Sequence, residues 1–100
     1  MLSWLNRLWS AISSPPPARL DRRVRVYTRA GCHLCDQVGQ MLGRAGIEPE
    51  WIDIDSDSRL REQFDQCVPV VEILGRERFR GQVNEVLLRR ILAAELNIDR

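Results

Sequence analysis

Lysine is absent from this 100-residue chain: all 15 basic side chains are arginine. Nothing local demands that choice, and it stands as a compositional bias. Net charge is scarce too, with 15 basic against 14 acidic residues. A chain so balanced lacks the broad field that draws nucleic acid or acidic substrates. No apolar run approaches the roughly 20 residues that cross a bilayer. A secretory leader is also missing, since Met1 to Ser14 has no basic leading region and its apolar residues are not continuous. Cysteine is limited to Cys32, Cys35 and Cys67. An odd count with two thiols three positions apart does not fit the disulfide framework of a small secreted domain; it fits a cytosolic catalytic or metal-binding pair. What remains is one small soluble domain.

The first fourteen residues differ from the rest. On a helical wheel Leu2, Trp4, Leu5, Leu8, Trp9, Ala11 and Ile12 share one half, and Ser3, Asn6, Arg7, Ser10 and Ser13 the other. That segregation predicts an amphipathic segment over 1–14. It is read as a tail, an interfacial membrane helix, a partner-docking helix or a lid packed on the domain itself. Pro15-Pro16-Pro17 stops it and begins a stiff linker over 15–21.

Beyond the linker the pattern predicts a domain over 22–97. Val24, Val26 and Thr28 alternate with Arg23, Arg25 and Tyr27, the mark of a strand. Leu34, Val38, Met41, Leu42 and Ala45 recur at helical spacing, and Gly46 ends that helix. Glu50 to Asp55 reads as a second strand, with Ser56 capping a helix through Leu60 and Phe64 to Gln66. Val68 to Leu74 is a third strand, Gly75-Arg76 a turn, and Glu77 to Arg80 a polar partner with an exposed edge. After Gly81 a last helix uses Val83, Val86, Leu87, Ile91 and Leu92. The order β-α-β-α-β-β-α predicts an α/β fold, a four-stranded mixed sheet flanked by three helices.

Where the first strand turns into the first helix lies Cys32-His33-Leu34-Cys35. A thiolate, not a thiol, attacks a disulfide, and the unpaired N–H groups of a helix N-terminus favour the anion. Cys32 occupies that position, and Gly31 before it leaves the sulfur open to a bulky partner. Cys35, one turn on, can resolve a mixed disulfide formed at Cys32. His33 is read two ways, as a ring N–H donor to the Cys32 thiolate or as an exposed side chain filling the loop. The spacing alone is shared with half a zinc site. The strand-then-helix setting is what points to thiol–disulfide exchange.

These residues resemble the glutaredoxin branch of the thioredoxin superfamily, in particular the short bacterial glutaredoxin-like proteins. Val26 to Cys35 looks like the opening strand and active-site loop, with Arg29 where glutaredoxins carry lysine. Cys67-Val68-Pro69 looks like the Thr-Val-Pro segment whose proline is cis. The resemblance covers Arg23 to Leu92. It implies a thioredoxin-like fold and a cytoplasmic, monomeric dithiol oxidoreductase acting on protein or small-molecule disulfides. It also implies no tightly bound cofactor or metal, with glutathione a candidate co-substrate. Arg29, His33, Val68, Pro69 and Gly81 are then the modulating or substrate-binding positions, Val68 through its backbone. The motif departs from Cys-Pro-Tyr-Cys. Gly81-Gln82-Val83-Asn84 keeps only the first glycine of the Gly-Gly-x-Asp segment, although Gly81 can still open a helix N-terminus to a carboxylate. Cys67 is read as a buried small residue at a strand start, a third redox thiol or a metal ligand. The alternatives to an oxidoreductase are a metal or iron–sulfur module using the CxxC pair and Cys67, and a thioredoxin-fold interaction module.

Overall fold

Alternation of valine with arginine makes a strand that is apolar on one face, and the sheet grows from that strand. The computed structural model describes residues 19–64 and 68–98. The amphipathic segment 1–14, the three prolines and Cys67 lie outside the described residues. Strand β1 (Arg19–Thr28) starts earlier than the alternation predicts, because residues 19–21, placed in the linker by composition, pair with Ile47–Pro49 of β2 (Ile47–Asp53). The register then shifts between Asp21 and Arg25, a bulge that Asp21 stabilises. Its carboxylate accepts the Arg23 backbone N–H at 3.0 Å and two guanidinium N–H groups at 2.9 and 2.7 Å.

Helix α1 (His33–Arg44) carries the chain across to β2, which runs parallel to β1. Ile54–Ser56 forms a tight 3-10 turn, and α2 (Ser58–Phe64) follows. The expected cap is displaced by this turn. Ser56 donates its hydroxyl to the Asp53 carbonyl at 2.6 Å, while Asp57 caps α2 by accepting the Arg59 N–H at 2.8 Å. Burial of Ile54, which is fully enclosed, turns the chain out of the strand before Ser56 is reached. Strands β3 (Val70–Ile73) and β4 (Arg76–Arg80) complete a mixed sheet of order β2-β1-β3-β4. Their connection is Leu74-Gly75, with φ of +54° and +78°. Two positive φ values in a row are what a two-residue hairpin turn requires. The turn lies one residue earlier than predicted, since leucine gives no turn signal.

The sheet is covered unequally. On one face Val24, Val26, Val71, Ile73 and Phe79 pack against Val38 and Leu42 of α1 and against Leu88, Leu92 and Leu96 of α3 (Glu85–Leu96). On the other, Tyr27 and Val70 meet Ile54 and Phe64, the last at a ring separation of 4.8 Å from Tyr27. Each fully buried aliphatic side chain contributes about 1.5–3 kcal/mol. The inward face of α3 differs from the predicted one, with Val86 and Leu87 outside and Leu88 inside. Three apolar residues in a row leave the helical phase open, and only the i, i+4 continuation through Leu92 and Leu96 selects it. Glycine at position 39 of α1 also finds its reason here. A Cβ there would come within 3.2 Å of the Trp51 ring lying across the helix from β2.

Candidate active site

Strand pairing assembles the site at one end of the sheet. Thr28, the last residue of β1, pairs with Asp53 of β2, and Tyr27 pairs with Val70 of β3. One step beyond that pair Pro69 follows, and its carbonyl accepts the Gly81 N–H at 2.7 Å, extending the β3–β4 ladder. Asp53, Thr28, Pro69 and Gly81 thus form a row across all four strands. The Cys32 loop leaves β1 at this row, where the Val68–Pro69 peptide bond is cis. Of the residues singled out in the sequence, the structure therefore brings Arg29, Cys32, Cys35, Val68, Pro69 and Gly81 to one end of the sheet.

Gly31 has φ of +79° with open space around it, which lets the chain turn sharply from strand into helix. Cys32 is then the N-cap of α1, with extended backbone angles of −87° and 105°, and its Sγ accepts the Cys35 N–H at 3.1 Å. A sulfur thus fills the capping position usually held by a serine, asparagine or aspartate oxygen. Cys32 is partly exposed and Cys35 is buried, at 2% exposure. The two sulfurs sit at disulfide-bonding separation with Cα atoms 5.2 Å apart, inside the range of about 4.4–6.8 Å that a disulfide spans. His33 and Leu34 face solvent.

Arg29 is not left open toward the cysteines. Its guanidinium forms a two-pronged ion pair with Asp55, Nη2 to Oδ1 at 2.7 Å and Nε to Oδ2 at 3.2 Å. Asp55 is itself positioned by the 3-10 turn, its backbone N–H donating to the Asp53 carboxylate at 2.9 Å. The hydrogen bond from Arg29, aided by the charges of Arg29 and Arg61, holds the Asp55 carboxyl below its ordinary value. Sequence reading missed Asp55, because 26 residues separate it from Arg29. The signal was the parallel register, since pairing Thr28 with Asp53 carries the following residues past one another.

Gly81 departs from its expected role. Its N–H is engaged by Pro69, and it lies four residues ahead of α3. The helix opens instead at Asn84, whose Oδ1 accepts the Leu87 N–H at 3.0 Å. Among the described residues no group of three or more His, Cys, Asp or Glu is arranged to hold a metal ion. No described helix is long and apolar enough to cross a membrane.

A mixed four-stranded sheet with three helices, a CxxC pair opening the first helix and a proline leading into the third strand define a thioredoxin-like fold of the glutaredoxin type. The chain belongs to the family described as Glutaredoxin-like domain (DUF836), whose profile matches residues 23–93. It is 32% identical over 80 residues to the uncharacterized protein Rv0508 of Mycobacterium tuberculosis, covering 71% of this chain and 82% of the relative. Among solved structures, protein XcR50 from X. campestris superposes with a TM-score of 0.61 at 33% identity, over 71% of this chain and 96% of that one. The holo form of glutaredoxin C1 from Populus tremula x tremuloides shares the fold, with a TM-score of 0.55 over 95% of this chain and 93% of that one, at 20% identity.

Proposed function

We propose that this protein is a dithiol thiol–disulfide oxidoreductase that reduces protein or small-molecule disulfides. The observation that carries the reading is the unequal placement of two sulfurs at disulfide-bonding separation: Cys32 reachable at a helix N-terminus, Cys35 buried one turn behind it. Cys32 attacks as the thiolate, which the N-terminal N–H groups of α1 favour. A Cys32–substrate sulfur bond forms, the substrate S–S bond breaks, and the departing thiolate takes up a proton. Cys35 then gives up its proton and attacks the Cys32 sulfur of the mixed disulfide, releasing the second substrate thiol. Two electrons pass to the substrate and the protein is left with a Cys32–Cys35 disulfide. An external thiol reductant must return them.

Burial of Cys35 suits the second step, because a shielded thiol reacts with the tethered adduct before it meets a competing disulfide in solution. The Val68 backbone, beside the cis bond, is the strand-like edge along which an extended substrate can lie. Pre-reduced protein mixed with bis(2-hydroxyethyl) disulfide tests the reading. Cys32→Ser is expected to bring disulfide reduction down to the uncatalysed background; full activity in that variant contradicts it.

A further inference from the structure

The end of the sheet opposite Cys32 gathers side chains that the proposed exchange does not use. Strands β1 and β2 begin there, and the Leu74-Gly75 turn joins β3 to β4 there. Backbone pairing fixes the neighbours. Arg19 lies opposite Ile47, Leu20 opposite Glu48 and Arg76 opposite Ile73, while the Leu74 N–H donates to the Arg23 carbonyl at 2.8 Å. From Leu20 to Thr28, at the cysteine end of β1, the strand runs about 26 Å. Leu20 is 58% exposed and Leu74 50%. Arg19, Arg22 and Arg76 are exposed, and none holds an ion pair among the described residues. The acids of this end are each engaged, Asp21 by Arg23, Glu48 by the Trp51 indole N–H and Glu77 by Arg80. Arginine is therefore in excess, beside two leucines turned to solvent.

The amphipathic segment 1–14 is attached at this same end, since the chain from Ser14 to Arg19 spans at most about 18 Å. Its apolar half carries Trp4 and Trp9, residues favoured at a membrane–water boundary. Its polar half has one charge, Arg7, so the segment by itself draws little on anionic lipid. The uncommitted arginines at the entry point supply the charge that the segment lacks, and Leu20 and Leu74 add apolar contact beside them. We propose that this end of the domain, together with segment 1–14, is a docking surface for an anionic lipid bilayer, which leaves Cys32 directed toward water. The surface stands apart from the oxidoreductase reading, and either can fail without the other.

Sedimentation of the full chain with lipid vesicles tests the proposal. Vesicles of phosphatidylcholine mixed with phosphatidylserine are expected to carry the protein down, pure phosphatidylcholine much less, and added salt to release it. Arg19→Gln, Arg22→Gln and Arg76→Gln are each expected to weaken the partition about fivefold, the effect of one arginine close to an anionic surface. Arg59→Gln removes the same charge from an exposed position of α2, which follows the cysteine end of β2. Its effect is expected to stay under about twofold, because a charge beyond the screening length of the surface contributes little. Replacing Trp4 and Trp9 together by serine removes the partition. Leu74→Asn, which keeps a residue tolerant of positive φ in the turn, weakens it. In reduced protein, iodoacetamide is expected to alkylate Cys32 at the same rate with and without anionic vesicles. No sedimentation of the parent with anionic vesicles overturns the proposal, as does equal sedimentation with pure phosphatidylcholine. So do three arginine substitutions that each act by less than about twofold, or an Arg59→Gln loss as large as theirs. A vesicle-free dimer that Leu74→Asn dissociates assigns this end to a second copy of the chain and overturns it too. Protection of Cys32 on the vesicles contradicts the orientation.

Discussion

Two helices in this protein begin with nearly the same geometry and opposite chemistry. Cys32 caps α1 at φ −87° and ψ 105°, with Sγ accepting an N–H three residues on at 3.1 Å. Asn84 caps α3 at φ −85° and ψ 116°, with Oδ1 accepting an N–H three residues on at 3.0 Å. Each acceptor satisfies one of the orphan donors every helix start leaves. An amide oxygen carries no titrating proton and forms no covalent bond in exchange, so its contribution to stability is constant. A sulfur in that position has its anion favoured by the same donors, and it gives up charge whenever it bonds to another sulfur. Under the proposed function, the cap geometry stays and only the capping atom changes to turn a structural device into a reactive one.

Both helices owe most of their stability to packing rather than to caps. Leu88 of α3 and Leu42 of α1 are fully buried in the same cluster. Leu88→Ala is expected to cost about 2–5 kcal/mol through lost burial and the cavity left behind. Urea unfolding at pH 7 measures it, and a loss under 1 kcal/mol would mean that the α3 face is assigned wrongly. The caps come next. Asn84→Ala is expected to lower stability by about 1 kcal/mol, equally in oxidised and reduced protein. Cys32→Ala in the reduced protein removes the sulfur that accepts the Cys35 N–H and is expected to cost about 1 kcal/mol as well, measured at pH 7 against the reduced parent. No measurable loss in Cys32→Ala would mean that the sulfur does not stabilise the start of α1.

The smallest expected effect concerns the ion pair joining the two helices. Arg44, in the last turn of α1, binds Glu85, in the first turn of α3, at 2.8 and 2.9 Å. The hydrogen bond from Arg44, with the charges of Arg44 and Arg89, holds the Glu85 carboxyl below its ordinary 4.5. A carboxyl with a lower pKa folded than unfolded binds fewer protons in the folded state. Its stabilisation is therefore present above about pH 4.5 and is lost as pH falls through the folded value. Glu85→Gln should flatten the acid limb of the unfolding midpoint measured from pH 6 to pH 3 and leave its neutral value little changed. An identical acid limb in both proteins would show that the pair is screened away.

Much of this was legible in the sequence because its signals were local. Alternation in β1, the 3.6-residue spacing in α1 and the CxxC spacing each involve neighbours within one element, and the element order followed from them. What was not legible depended on register or phase. The early start of β1 required its bulged pairing with β2, which composition near three prolines conceals. The Leu74-Gly75 turn placed a leucine at positive φ, against its preference. The phase of α3 was ambiguous across Val86, Leu87 and Leu88. Within the site, Cys32 and Cys35 declared themselves by spacing, whereas Asp55 became visible only when parallel pairing carried it alongside Arg29. Gly81 was noticed for the right location, but the Pro69 carbonyl claims its N–H.

Trapping decides whether Cys32 attacks and Cys35 resolves. Reduced Cys35→Ser is incubated with bis(2-hydroxyethyl) disulfide, and the adduct is located by peptide mass spectrometry. A stable mixed disulfide on Cys32 is expected in this variant, whereas the parent chain passes through it to the Cys32–Cys35 disulfide. A persistent adduct on Cys67 with none on Cys32, or no adduct while the parent is oxidised at its usual rate, would contradict it.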